Sequence, residues 1–200
     1  MAGARPIGFV IVAHPDDEVL WCGGWIMANP DWTWRVITLC RASDPDRAPR
    51  FAACMEHLGA TGSMGDLDDG PDQRPLSDGS IDAEILRQLG RDTHAQLVLT
   101  HGPDGEYTRH LRHEECHDSV VRLWHQRRID AAQVWCFAYS DGNRSHCPRA
   151  AAWAPHRLRL DPAALAAKRL LITGTYGFSA GSWEAECMPV EEAFCPVERS

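Results

Sequence analysis

The feature that most constrains the fold is a set of short apolar runs recurring at long intervals. IGFVIVA (7–13), WRVITLC (34–40), LVLTH (97–101) and QVWCFAY (133–139) each have strand length, and the stretches between them can hold a crossover helix. Continuously apolar strands are buried on both faces, so their alternation with helical segments predicts an α/β fold, a mostly parallel sheet flanked by helices on both faces. The expected helices span 18–28, 46–58, 80–93, 113–127 and 162–171, and HRLRL (156–160) is a further, edge strand. Two hundred residues suit one domain, 1–200.

A net charge of -8 argues against nucleic acid or an anionic membrane as partner and leaves a small neutral, polar or cationic molecule. IGFVIVA is too short to span a bilayer and reads as a buried strand rather than a signal peptide, which makes the expected location cytoplasmic. The eight cysteines contain no C-x-x-C pair, and those in VITLC and VWCFAY sit where cysteine packs as a small hydrophobe. Neither a disulfide framework nor a Cys-rich zinc site is expected. Eight tryptophans leave room for a homo-oligomer contact. GSMGDLDDGPDQRPLSDG (62–79) reads as a functional loop, and 175–200 has no clear periodicity.

Ligands of open α/β sheets bind at the carboxyl ends of strands, and the first strand runs directly into AHPDDEVLWCGG (13–24). This turn has no G-x-G-x-x-G for a dinucleotide, but it offers an imidazole and three consecutive carboxylates. Catalytic zinc takes three N or O ligands and keeps one position open. His14 and Asp17 can supply two of them from one turn, leaving Asp16 free as general base. The plainer alternative is that Asp16 or Asp17 caps the following helix. A second metal motif, HEECH (113–117), fits the H-E-x-x-H helix of zinc peptidases, with His113 and His117 as ligands and Glu114 as base.

AHPDDE resembles the signature of the PIG-L / LmbE-like zinc-dependent N-deacetylases, and GEYTRHLRH (105–113) resembles that family's second signature. The resemblance is clear over 7–140 and weak over 141–200. It implies a Rossmann-like hydrolase that removes an acetyl group from a GlcNAc-type amino sugar by metal-activated water, so the partner is a small N-acetylated sugar conjugate, with neither nucleic acid nor membrane involved. Carried over, the metal ligands are His14, Asp17 and His113, with Asp16 as base and His110 stabilising the oxyanion. The ion is Zn2+, and Fe2+ is accepted by the same donor set. Arg50, with Arg47 as alternative, and Asp68, with Asp69 second, look similar in placement to sugar-holding residues of the family, and Tyr107 lines the site. His101 is expected in the pocket wall.

The second signature departs from the family pattern. One residue is gained between Tyr107 and His110, and Leu111-Arg112 replaces Pro-Asp, removing a carboxylate that would orient His110. Glu114, Glu115 and Asp118 are the candidate substitutes. Three rivals remain at this level: a peptidase built on HEECH, a binding domain of the same fold with a degenerate metal site, and another metal-dependent hydrolase acting on some other small amide. Trp21 and Trp25, four apart on the first helix, read as a core stripe, with sugar stacking the alternative.

Overall fold

The computed structural model describes residues 4–90 and 94–199. Its seven-stranded sheet has the order β3-β2-β1-β4-β5-β9-β8, built from β1 (Ile7–Val12), β2 (Thr33–Thr38), β3 (Thr61–Met64), β4 (Ala95–Thr100), β5 (Ala131–Phe137), β8 (His156–Arg159) and β9 (Glu191–Pro196). The first five strands are parallel, whereas β9 is antiparallel to β5 and β8 antiparallel to β9. Strand order reverses between β1 and β4, and the paired carboxyl ends of these two strands form the switch point where such sheets bind ligands.

All five expected helices are present, as α1 (Asp17–Ala28), α2 (Arg47–Leu58), α3 (Asp78–Leu89), α4 (Leu111–His125) and α5 (Pro162–Leu170). Positions 91–93 of the expected third helix lie outside the described residues. Local chemistry fixes several ends. Ser77 caps α3 by accepting the Ser80 N–H, Asp161 caps α5 with Pro162 in its first turn, and Gly59 closes α2 at φ 63°. Alternate residues of the strands feed two separate cores. Val10, Val12, Val36 and Leu99 pack with α1, α2 and the C-terminal segment, while Phe9, Ile11, Ile37 and Val98 pack with α3 and α4.

The C-terminal third differs most from expectation. Beyond α5 come a π-helical turn (Leu171–Thr175), the short α6 (Trp183–Glu186) and β9, which lies inside the sheet although its run EEAFCP is not apolar. Glu192 is the reason it can be there. Its fully buried carboxylate accepts the Lys168 ammonium (2.7 Å) and the N–H groups of Gly24 and Trp25 (2.7 Å each). A Cβ at Gly24 would stand 2.2 Å from Leu160, so glycine lets the three elements meet. β3 opens what the sequence presents as one loop, 62–79. The short pair β6 (Tyr139–Ser140) and β7 (Arg149–Ala150) flanks the loop after β5.

One expectation is corrected. Cys147 and Cys187 form a disulfide joining that loop to the end of α6. No local spacing pattern advertises a pair 40 residues apart. Cys40 and Cys136 are buried thiols, as expected. No helix among the described residues is long and apolar enough to cross a membrane.

Lys168→Met leaves a buried carboxylate without its counter-charge and is expected to destabilise the fold by about 3–5 kcal/mol, read as a lower denaturation midpoint. An unchanged midpoint contradicts the coupling of α1, α5 and β9 through this pair.

Candidate active site at the switch point

β1 ends in a tight turn that places His14, Asp16 and Asp17 at the start of α1. Asp17 does not cap the helix. Its Oδ2 accepts the His14 N–H (2.8 Å) and its Oδ1 accepts the Trp21 indole N–H (3.1 Å). Asp16 occupies the cap position at φ 127°, a region non-glycine residues rarely enter, and makes no side-chain cap bond. Two backbone contacts hold it there. Its N–H donates to Glu18 Oε2 (3.0 Å) and its carbonyl accepts from Val19 and Leu20. Glu18 is itself completely buried and takes a hydrogen bond from the Tyr176 hydroxyl (2.5 Å) just beyond the π-helical turn. The strain thus aims the Asp16 carboxylate away from the helix and into a cavity.

His113 enters from the first turn of α4. Its Nε2 lies 3.3 Å from His14 Nδ1 and 3.4 Å from Asp17 Oδ1, and His14 Nδ1 lies 3.2 Å from Asp17 Oδ2. A tetrahedral ion held at about 2.0–2.1 Å has neighbouring ligand atoms about 3.3 Å apart. The spacings here are close to that, with Asp17 meeting the two histidines through different oxygens. With one atom taken from each residue, the convergent groups are His14, His110 and His113, and Asp17, His101 and His113. Outer partners support that reading. Nδ1 of His113 donates to Glu106 Oε2 (2.6 Å), which turns its other nitrogen toward the triad. Burial lowers the His113 pKa, keeping the ring neutral as a ligand must be. Burial alone would also lower His14, but Asp17 and Asp69 outweigh it and raise it to about 10, the behaviour of a pocket with surplus negative charge. His14 Nε2 faces Asp69 Oδ1 at 3.2 Å without the angle of a good hydrogen bond.

Glu106 unites the outer layer. Fully buried, it accepts His113 Nδ1–H, His101 Nδ1–H (2.8 Å) and the Gly102 N–H (2.9 Å), and despite burial these partners pull its pKa down to about 2. His101 is sealed from solvent, so it is not a pocket-wall residue; its Nε2 accepts the Ala13 N–H (3.0 Å), which fixes the proton on Nδ1.

A cavity of about 260 Å³ opens over the triad, lined by His14, Asp16, Asp17, Arg41, Arg47, Asp69, Tyr107, His110, Phe178, Trp183 and Glu184 among others. His110 and Tyr107 therefore stand where the sequence places them. Two other placements are corrected. Arg50 pairs with Asp46 and the Thr175 carbonyl outside the cavity, and Arg47, one helical turn earlier, lies 3.9 Å from Asp16 Oδ2. Asp68 accepts a turn N–H from Gly70, and Asp69 faces the cavity, held by Arg41 (2.7 Å) and Gln73 (3.0 Å). Arg50 and Asp68 each lose the place to a near neighbour because helix and loop phase is invisible at one-residue precision. Trp21 is completely buried under the site and Trp25 packs on Trp135 and Phe194, both as core residues.

The departures around His110 leave it without a carboxylate. Glu114 pairs with Arg109, and Glu115 pairs with Arg112 and accepts the Leu76 N–H (2.8 Å), so α4 grips the 65–77 loop instead. His110 Nδ1 is buried with no partner among the described residues, and burial followed by the neighbouring His113 and His14 depresses the ring's pKa to about 3. His117 donates from Nδ1 to the His101 carbonyl (2.7 Å) and belongs to neither cluster of convergent ligand atoms among the described residues. Glu18, Arg41, Glu106, Phe178 and Trp183 escape the sequence reading, although Glu18 and Glu106 are letters of the two quoted signatures.

Residues 9–124 match the family model described as PIG-L, GlcNAc-PI de-N-acetylase. No curated protein matches the chain. Solved structures of similar fold include the 4-carboxy-2-hydroxymuconate hydratase from Pseudomonas putida, at TM-score 0.71 and 15% identity over 98% of this chain and 97% of that one. The zinc-inhibited form of a teicoplanin deacetylase follows at 0.68 and 17%, over 97% and 98%. An N,N'-diacetylchitobiose deacetylase from Pyrococcus horikoshii aligns at 0.66 and 14%, over 96% and 83%. Identities this low establish a shared fold, and a hydratase among deacetylases shows that the fold alone does not fix the reaction. Matched by one family model over more than half its length, with AHPDDE and the altered GEYTRHLRH both at the switch point of its sheet, the chain belongs to the PIG-L family.

Proposed function

We propose that the protein is a metal-dependent N-deacetylase acting on an N-acetylated amino sugar of GlcNAc type. The observation that carries this is the close approach of His14, Asp17 and His113, whose nitrogen and oxygen atoms lie 3.2–3.4 Å apart pairwise, with the strained Asp16 lining the cavity beside them. Two imidazoles and a carboxylate suit Zn2+, and Fe2+ is the alternative ion. The deacetylases among the structural neighbours support the reaction type.

His14, Asp17 and His113 would hold a divalent ion, which when bound would supply polarisation of the acetyl carbonyl and a water nucleophilic near neutral pH. The remaining work falls to the chain. Asp16 takes the proton of the attacking water, a task suited to a carboxyl whose pKa burial and the adjacent Asp17 hold well above the usual range. His110, neutral at working pH, donates a hydrogen bond to the oxygen on which charge develops. Asp16 then passes its proton to the departing nitrogen as the C–N bond breaks, releasing acetate and a free amine. Arg41, Arg47 and Asp69 offer polar contacts to the sugar, while Tyr107, Phe178 and Trp183 supply apolar walls.

A peptidase built on HEECH is disfavoured, because neither His117 nor Glu114 belongs to a group of convergent ligand atoms among the described residues, whereas His113 does. Elemental mass spectrometry separates the two. Asp17→Ala and His113→Ala are expected to lose the metal and His117→Ala to retain it; loss in His117→Ala with retention in Asp17→Ala overturns the triad. Glu106→Gln removes the charge that orients His113, and its metal affinity should fall ~10–100-fold. Affinity equal to wild type would remove Glu106 from the site. His110→Ala should keep its metal while acetate release from a GlcNAc-type substrate slows ~10²–10³-fold. An undiminished rate, or loss of metal, refutes the role given to His110.

A further inference from the structure

Beside the catalytic cavity lies a second one of about 490 Å³, and Tyr107 is a wall of both. It lies between the loop that follows β4 and the segment from Tyr139 to Trp153. At its rim stands Trp153, 72% exposed, the most exposed large hydrophobic side chain among the described residues. An indole left largely in water beside a cavity is a surface awaiting a partner, since burial of such a side chain is a main source of binding energy.

The opposite rim is built at a cost in backbone strain. Gly142, Asn143 and Arg144 have consecutive positive φ values of 60°, 59° and 67°, and non-glycine residues normally adopt that conformation singly. Asp141 enforces the turn. Its carboxylate accepts the Thr108 N–H (2.7 Å) and hydroxyl (2.6 Å), and its carbonyl accepts from Ser145 (3.0 Å) and His146 (3.1 Å). The disulfide at Cys147 secures the far end. The result is a rigid rim that presents Asn143 to the cavity, spanned from the catalytic loop at Thr108 to Trp153.

The lining also defines the chemistry of the occupant. It contains no lysine, arginine or histidine, so a phosphate or carboxylate group would enter uncompensated beside Asp104 and Asp141. What remains is an aromatic face together with hydroxyl, amide and carboxylate groups, which matches a neutral polyhydroxylated ring with one apolar face. We propose that this cavity is a second carbohydrate subsite, in which Trp153 stacks on and Asn143 hydrogen-bonds to the sugar adjoining the acetylated ring, so that the preferred substrate is a neutral glycoside of at least two sugars. The assignment rests on the amino-sugar reading of the adjacent triad.

The test compares kcat/KM for acetate release from N-acetylglucosamine and from N,N'-diacetylchitobiose, using the metal-loaded full chain. Wild type is expected to favour the disaccharide at least tenfold, mainly through KM. In Trp153→Ala and separately in Asn143→Ala that ratio should fall to within about threefold of unity. Leu170→Ala, which removes an exposed apolar side chain from α5, should preserve it. Equal rates on both sugars in wild type, or an unaltered ratio in both rim variants, overturns the subsite and leaves the deacetylase reading standing. Absence of acetate release from either sugar by metal-loaded wild type overturns the amino-sugar reading itself, and the subsite with it.

Discussion

The site depends on one buried carboxylate. Glu106 has no contact with solvent, and an isolated charge there would be prohibitively costly. It is tolerable because a backbone amide and two imidazoles point at it, and those donors come from the end of β4 and the first turn of α4. Satisfying Glu106 therefore fixes the orientation of His113 relative to the sheet. His101, turned by the same carboxylate, uses its other nitrogen to receive the Ala13 N–H at the end of β1. One acid thus registers the three segments that supply or support His14, Asp17 and His113.

A second chain of interactions explains why the C-terminal third belongs to the site although it contributes no residue to the triad. The φ of Asp16 is a local conflict, and such conflicts persist only where surroundings over-determine them. Glu18 supplies part of that constraint and is held in turn by Tyr176, at a π-helical turn of the kind often found near functional sites. Farther along α1, Glu192 takes the Gly24 and Trp25 amides while pairing with Lys168. The helix that follows the His14–Asp17 turn is therefore fastened at its start and in its second half by residues more than 140 positions away. The same segment then returns Phe178, Trp183 and Glu184 to the cavity wall.

What the sequence reveals of this follows physical lines. The parallel strands are legible because burial on both faces demands continuous apolar runs, and the five helices because their spacing and caps are local. β9 is illegible for the opposite reason: its buried Glu192 reads as a polar, surface-like letter until Lys168 is seen beside it. β3 offers only TGSM, with glycine and serine where strand formers are expected. Within the site, His14, Asp16, Asp17, His110 and His113 are recoverable because each falls on a signature. Arg47 and Asp69, the alternatives to Arg50 and Asp68, are the ones that line the cavity, because reach into a cavity depends on helix phase and loop path. The Cys147–Cys187 bond is a long-range fact with no local trace.

The same outer layer bears on the ambiguity of HEECH. His113 and His117 are one turn apart on α4 and both approach the carboxyl end of β4. A peptidase helix needs both imidazoles free for one ion. Here the Nδ1–H of His113 goes to the Glu106 carboxylate and that of His117 to the His101 carbonyl, so each ring keeps Nε2, but only the His113 ring meets other potential ligand atoms among the described residues. The two histidines thus differ in what they face, one meeting His14 and Asp17 and the other securing the strand end beside them. Two histidines four apart on a helix say only that both rings meet the same surface, and the other donor atoms that converge on the free nitrogen distinguish one ring from the other.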